Sequence, residues 1–211
     1  MSKFADEEQL FKERVREFDE FIRQQRFRDI VRPYGAEELA TLASPVEQKY
    51  ASAAMATKAF NLFTSLREQG QTSHTFGVLD PVQIVAASTE LTSIYVSGWQ
   101  CSSTASTNNE PGPDLAAYPY DTVPNKVEQL FKAQDFHMRK QQEARRRMSA
   151  EERLANPPVD LYAPIIADGD TGHGGTVATM ALIKAFVEAG AAGVHLEDQS
   201  SIYKKCGHMD G

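Results

Sequence analysis

Two aspartates, Asp168 and Asp170, follow the apolar run Ile165-Ile166-Ala167 and precede a glycine-rich turn, Gly172-His173-Gly174-Gly175, that leads into a helical pattern. On an extended backbone residues i and i+2 share one face, so the pair would stand side by side at a strand end. Oxygens so placed suit a hard cation such as Mg2+, which takes few protein carboxylates and fills its other positions with water and substrate. The glycines leave room for a ligand, and N–H groups at the helix start attract an anionic one. The same residues also fit a plain turn in which the aspartates only cap the helix. Val194-His195-Leu196-Glu197-Asp198-Gln199 ends the next apolar run with a second acidic pair. Alone that pair reads as a solvated turn, but neighbouring strand ends lie on the order of 5 Å apart, so Glu197 is expected near the same cation.

Lys204-Lys205-Cys206-Gly207-His208 sets a thiol among two ammonium groups and an imidazole. Nearby positive charge favours thiolate, so Cys206 is expected to deprotonate more easily than a free cysteine, with its pKa near about 8.5, and to exchange a proton with a substrate. An inert cysteine in a basic loop is the other reading. The spacing does not suit structural zinc, which needs more Cys or His ligands at short intervals. Tyr95-Val96-Ser97-Gly98-Trp99-Gln100 ends another strand with a hydroxyl, a permissive glycine and the only tryptophan. A backbone N–H beside Gly98 can bind a carboxylate, although packed aromatics at a buried strand end explain the composition equally simply. His74, His137 and His173 give no separate signal, and His137 is expected on a helix surface.

The elements that must position these groups follow from apolar spacing. Phe11, Val15, Phe18 and Ile22 recur at helical intervals among charged residues, and Pro33-Tyr34-Gly35 breaks the chain. A second helix is predicted from about Pro45 to Glu68, so residues 1–72 read as a helical N-terminal segment. From residue 73 to 211 short apolar runs alternate with helical patterns: Thr75 to Leu79, Ile94 to Ser97, Tyr162 to Ala167 and Gly193 to Leu196 as strands, with helices over Val82 to Leu91, Val123 to Met148 and Val177 to Ala189. Strand-then-helix alternation argues a parallel sheet with right-handed crossovers. Asp80-Pro81 and Thr122-Val123-Pro124 read as helix starts, and Asn156-Pro157-Pro158 as a loop. Parallel α/β folds place their sites at the carboxyl ends of strands, where the residues of interest fall.

The chain has 211 residues and a formal net charge of -7, which offers no basic field to nucleic acid; Arg145-Arg146-Arg147 is the one dense basic run and reads as a solvated helix face. Its two cysteines, Cys101 and Cys206, fit a reducing compartment. No apolar run approaches the roughly 20 residues of a membrane span. The acidic start Met1-Ser2-Lys3-Phe4-Ala5-Asp6 carries no signal or transit pattern.

Taken together, residues from about Thr75 onward resemble the isocitrate lyase family, and its eukaryotic members in particular. The resemblance rests on Tyr95 to Gln100, Asn109 to Asp114, Tyr118 to Lys126, Ile165 to Gly175, His195 to Gln199 and Lys204 to His208. It implies a (β/α)8 TIM-type barrel of the phosphoenolpyruvate mutase and isocitrate lyase kind, of which about the first four strands are present. It further implies a Mg2+-dependent homotetramer, with Mn2+ as a substitute ion, that cleaves isocitrate to glyoxylate and succinate in the cytoplasm or in glyoxysomes or peroxisomes. By motif, Asp168 would be the direct metal ligand, with Asp114, Asp170 and Glu197 holding metal-bound waters. Ser97, Gly98 and Trp99 would hold the glyoxylate end, Gly207 and His208 would touch the succinate end, and Lys204 and Lys205 would also bind substrate. Tyr95 would lie near the hydroxyl that loses its proton, His195 would be a further catalytic residue, and Cys206 would protonate the succinate carbanion.

One departure is Met209-Asp210-Gly211, where the family carries a hydrophobic residue, a small residue, glycine and lysine; a carboxylate there would raise the pKa of Cys206. Four strands cannot close a barrel, so the 211-residue chain alone is expected to be inactive and poorly soluble. The alternatives are a 2-methylisocitrate lyase and a truncated, non-catalytic paralogue.

Overall fold

The computed structural model describes residues 3–107 and 118–200. The chain divides into two compact units, residues 1–49 and 50–211.

In the first unit α1 (Lys3–Ile22) packs against α2 (Ala36–Leu42), with a 3-10 turn at Gln25–Phe27 between them. Arg14 ties the unit together by donating from Nη1 to the Ser44 carbonyl at 2.7 Å. Arg26 lies over the Phe27 ring, 4.3 Å from its centroid.

The second unit begins with α3 (Ala51–Glu68), which starts six residues later than the pattern predicts. Val46 N–H bonds the Ser44 hydroxyl at 3.2 Å, a local turn that competes with helical pairing at this point. Then come β1 (Thr75–Gly77), α4 (Pro81–Ala87), β2 (Ser93–Val96), α5 (Gly98–Ala105), α6 (Thr122–Arg146), α7 (Ala150–Ala155), β3 (Ile165–Asp168), α8 (Thr176–Ala189) and β4 (Gly193–His195). The four strands form one parallel sheet in the order β1-β2-β3-β4, so the predicted succession of strand and helix holds and the fold is α/β. Asp80 starts α4 as expected, its carboxylate accepting from the N–H groups of Val82 and Gln83, with Pro81 in the first turn.

Side chains alternate across the sheet. Ile94, Val96, Ile165 and Ala167 point to one face and are buried with Ile84 of α4, Val127 and Leu130 of α6, and Leu182 and Phe186 of α8. Gln134 of α6, wholly buried, donates to the Ser88 hydroxyl and the Ala163 carbonyl at 3.2 and 3.0 Å. The opposite face therefore receives Tyr95, Ile166 and Asp168, and also His195, the register partner of Asp168 on β4. Of the basic run, Arg147 pairs with Glu143, while Arg145 turns back to the carbonyls of Arg153 and Asn156 and fastens α6 to the end of α7. His137 is exposed on α6. Among the described residues, no helix is long and apolar enough to cross a membrane.

Candidate active site

Asp168 is the last residue of β3 and is only 8% exposed. A charge so buried needs donors, and it has three. Its Oδ2 accepts from the Tyr95 hydroxyl at 3.2 Å and from the Gly98 N–H at 3.1 Å; its Oδ1 accepts from the Asp170 N–H at 2.9 Å. The Gly98 donor exists because Ser97 follows β2 directly and caps α5, its hydroxyl accepting from Gln100 N–H at 3.3 Å, which aims the first N–H of the helix at the aspartate. A backbone donor beside Gly98 was expected to bind a carboxylate, and in this structure the carboxylate is the protein's own.

His195 Nε2 lies 2.7 Å from the Tyr95 hydroxyl and 3.7 Å from Asp168 Oδ1. Burial, then the charges of Asp168, Asp170 and Glu197 together with the Asp168 hydrogen bond, push the Tyr95 phenol well above its ordinary pKa of 10.0. Tyr95 is thus a neutral phenol that feels all three carboxylates.

Asp170 departs from expectation. Two carboxylates at i and i+2 share a face only on extended backbone, but β3 stops at Asp168 and Asp170 has φ 46°. The carboxylates are therefore not two teeth of one strand. Asp170 is turned inward, 2% exposed, and its Oδ2 accepts from the Tyr118 hydroxyl and lies 3.3 Å from His173 Nε2. Its carbonyl accepts from Glu197 N–H at 2.8 Å, and Gly169 N–H donates to the His195 carbonyl at 3.0 Å, so the segments after β3 and β4 are laced together. This lacing ties the backbone of Glu197 to that of Asp170. Tyr118 and His173 were not singled out as site residues from the sequence, and the one available signal was their place in the segments Tyr118 to Lys126 and Ile165 to Gly175.

Among the described residues, no three His, Cys, Asp or Glu side chains already gather as a metal-ligand group. Asp168 and Asp170 nevertheless fit a hard cation. Both are nearly buried carboxylates, and among the described residues imidazoles, not Lys or Arg, are the basic groups within ion-pair distance of them. Asp114, Lys204, Lys205, Cys206, Gly207 and His208 lie outside the described residues. Trp99 is in the first turn of α5, next to Gly98.

The sheet's carboxyl edge thus carries a buried acidic pair under a phenol and an imidazole. The match with known proteins covers this edge and nearly all the rest. A model described as "Isocitrate lyase family" matches residues 14–211. The chain is 56% identical over 210 residues to "Isocitrate lyase" of Oryza sativa subsp. japonica, covering 100% of this chain and 37% of that one. It is 55% identical to "Isocitrate lyase" of Saccharomyces cerevisiae, over 85% of this chain and 33% of the relative. To "2-methylisocitrate lyase, mitochondrial" of Hypocrea atroviridis it is 47% identical, over 98% of this chain and 37% of the relative. The chain spans 33–37% of the length of these curated relatives. With the family model matching from α1 to the last residue and the acidic strand ends inside the match, the chain belongs to the isocitrate lyase family.

Proposed function

We propose that this chain supplies part of the site of an isocitrate lyase, in a protein that cleaves isocitrate to glyoxylate and succinate. The observation that carries this reading is the Tyr95 hydroxyl placed between Asp168 and His195 at the carboxyl edge of the sheet. The cleavage is a retro-aldol step: the substrate hydroxyl loses its proton, the carbon–carbon bond breaks, an aldehyde forms, and the electron pair stays on the succinate carbon until it is protonated.

Tyr95 is held as a neutral phenol, so it acts as a hydrogen-bond donor and relay rather than as a phenolate base. His195 Nε2, within 2.7 Å of that phenol, is the neighbour able to take the hydroxyl proton, the phenol O–H turning from Asp168 to the imidazole as it relays it. Ser97 and the first turn of α5, with Gly98 and Trp99, orient the glyoxylate carboxylate. Asp168, with Asp170, Glu197 and Asp114 around it, would hold Mg2+ or Mn2+, which when bound supplies Lewis-acid stabilisation of a developing oxyanion. Cys206, as the thiol, is the proton donor to the succinate carbon and is left as a thiolate that the charges of Lys204 and Lys205 favour, and Gly207 and His208 contact the succinate end. A homotetramer in the cytoplasm or in glyoxysomes is the matching expectation for the whole protein.

A second reading is 2-methylisocitrate lyase. The identities of 56% and 55% to isocitrate lyases against 47% to a 2-methylisocitrate lyase favour the smaller substrate. The test is turnover of both substrates by the whole protein with Mg2+, reading glyoxylate and pyruvate. Preference for methylisocitrate would replace the first reading with the second, and a folded protein that turns over neither would mark a non-catalytic paralogue.

A further inference from the structure

Asp170 has an unusual setting for a carboxylate. One distant and one local group converge on one of its oxygens: the Tyr118 hydroxyl, 52 residues away, donates to Oδ2, and His173 Nε2, three residues on, stands 3.3 Å from the same atom. No hydrogen bond reaches Oδ1 from the described residues. The two partners also support each other, since the Tyr118 ring meets the His173 imidazole edge-on, with centroids 5.5 Å apart and planes at 66°.

The backbone is bent to allow this. His173 has φ 58°, a left-handed conformation that a non-glycine residue adopts at a cost, and it sits between Gly172 at φ 86° and Gly174 at φ 149°. That bend turns the imidazole back over Asp170 instead of out along the loop, and its side chain is only 9% exposed. On the other side, a Cβ on Gly98 would stand 2.5 Å from the Tyr118 oxygen and 3.2 Å from Asp170 Oδ1, so the carboxylate is hemmed in on that side also.

We propose that Tyr118 and His173 are positioning residues that together fix the rotation of the Asp170 carboxylate, claiming Oδ2 so that Oδ1 faces the cation's water shell. The proposal rests on the reading of Asp168 and Asp170 as cation-holding groups. Both residues act through Asp170 and neither touches substrate. Partners of this kind usually change metal affinity about 10–100-fold when removed.

The test is Mn2+ binding to the whole protein, without substrate, followed by electron paramagnetic resonance. Tyr118→Phe removes the hydroxyl and keeps the ring. His173→Gly removes the imidazole and leaves a residue at ease with positive φ, so the loop keeps its path. Each variant is expected to bind Mn2+ about 10–100-fold more weakly than the parent. At saturating Mn2+ the substrate KM should stay within about twofold, as expected for groups that act only on the ion's surroundings. A variant whose Mn2+ affinity stays within about twofold of the parent overturns the assignment for that residue. Asp168→Asn separates the two levels of argument. If it too leaves Mn2+ affinity unchanged, the cation reading itself fails; if it abolishes binding while both other variants bind normally, only the positioning role is lost.

Discussion

Tyr95 and His195 meet across an intervening strand: the phenol oxygen is 2.7 Å from the imidazole Nε2, and the two rings lie 10° from parallel with centroids 5.5 Å apart. Tyr95 is on β2 and His195 on β4, so their contact spans β3, and Asp168 lies beneath it. Tyr95→Phe keeps the ring and removes the bridge. It should lower kcat by about 10²-fold or more, the usual size for a proton-relay group, with little change in Tm. Steady-state kinetics of the whole protein checks this, and a kcat within about twofold of the parent would remove Tyr95 from proton transfer.

Gly98 is required by space and not by its dihedral angles. An added Cβ would stand 2.5 Å from the Tyr118 oxygen and 3.0 Å from Asp170 Oδ2, both on buried side chains. Gly98→Ala must therefore push Tyr118 or Asp170 aside, at a cost of about 1–3 kcal/mol. The expected outcome is a lower denaturation midpoint together with weaker Mn2+ binding. Loss of stability with metal affinity intact would show that the displaced groups do not serve the cation.

Much of this architecture is legible in the sequence because it is written locally. The alternation of apolar runs, the Asp80-Pro81 helix start and the acidic strand ends at Asp168 and Glu197 all rest on spacings of a few residues. The α7 capping box was equally local, since Ser149 and Glu152 bond each other's backbone N–H groups, but the short helix was hidden between a long one and a proline loop. Helix α5 was hidden for another reason: Ser97 and Gly98 read as a strand end, and the Gly-Trp-Gln-Cys-Ser-Ser-Thr-Ala run has poor helical propensity. Tyr118 on Asp170 could not be read at all. The two are 52 residues apart, and their contact depends on β3 breaking off before Asp170 into left-handed backbone.

Cys101 makes a prediction about pH. Its thiol is fully buried in the core, and desolvation pushes its pKa from 9.0 up to about 12. The folded chain then keeps a proton that the unfolded chain gives up, so stability should be level below about pH 9 and fall as pH rises from there toward about 12. Tyr95, also raised, adds to the slope above its ordinary value of 10.0. Urea midpoints measured across this range, with Cys101→Ala for comparison, check the assignment; an equally steep fall in the variant would remove Cys101 as the cause. By the same burial, iodoacetamide at pH 8 should leave the Cys101 peptide unlabelled in the native protein while the Cys206 peptide reacts.

The end of α8 offers a test of packing far from the site. Gly190 closes that helix at φ 94°, its N–H bonding to the carbonyls of Phe186 and Val187. An alanine there meets two separate penalties. The left-handed backbone costs a non-glycine residue about 1–2 kcal/mol. In addition the new Cβ would lie 2.9 to 3.3 Å from three ring carbons of Phe131 on α6, and Phe131 packs on the buried core, so it has little room to retreat. Gly190→Ala should therefore lose more stability than the backbone cost alone. Gly190→Ala combined with Phe131→Leu separates the two terms: if the clash contributes, Gly190→Ala costs less in the Phe131→Leu background than in the parent. An equal cost in both backgrounds, read from denaturant midpoints, would mean that the ring yields freely and only the dihedral matters.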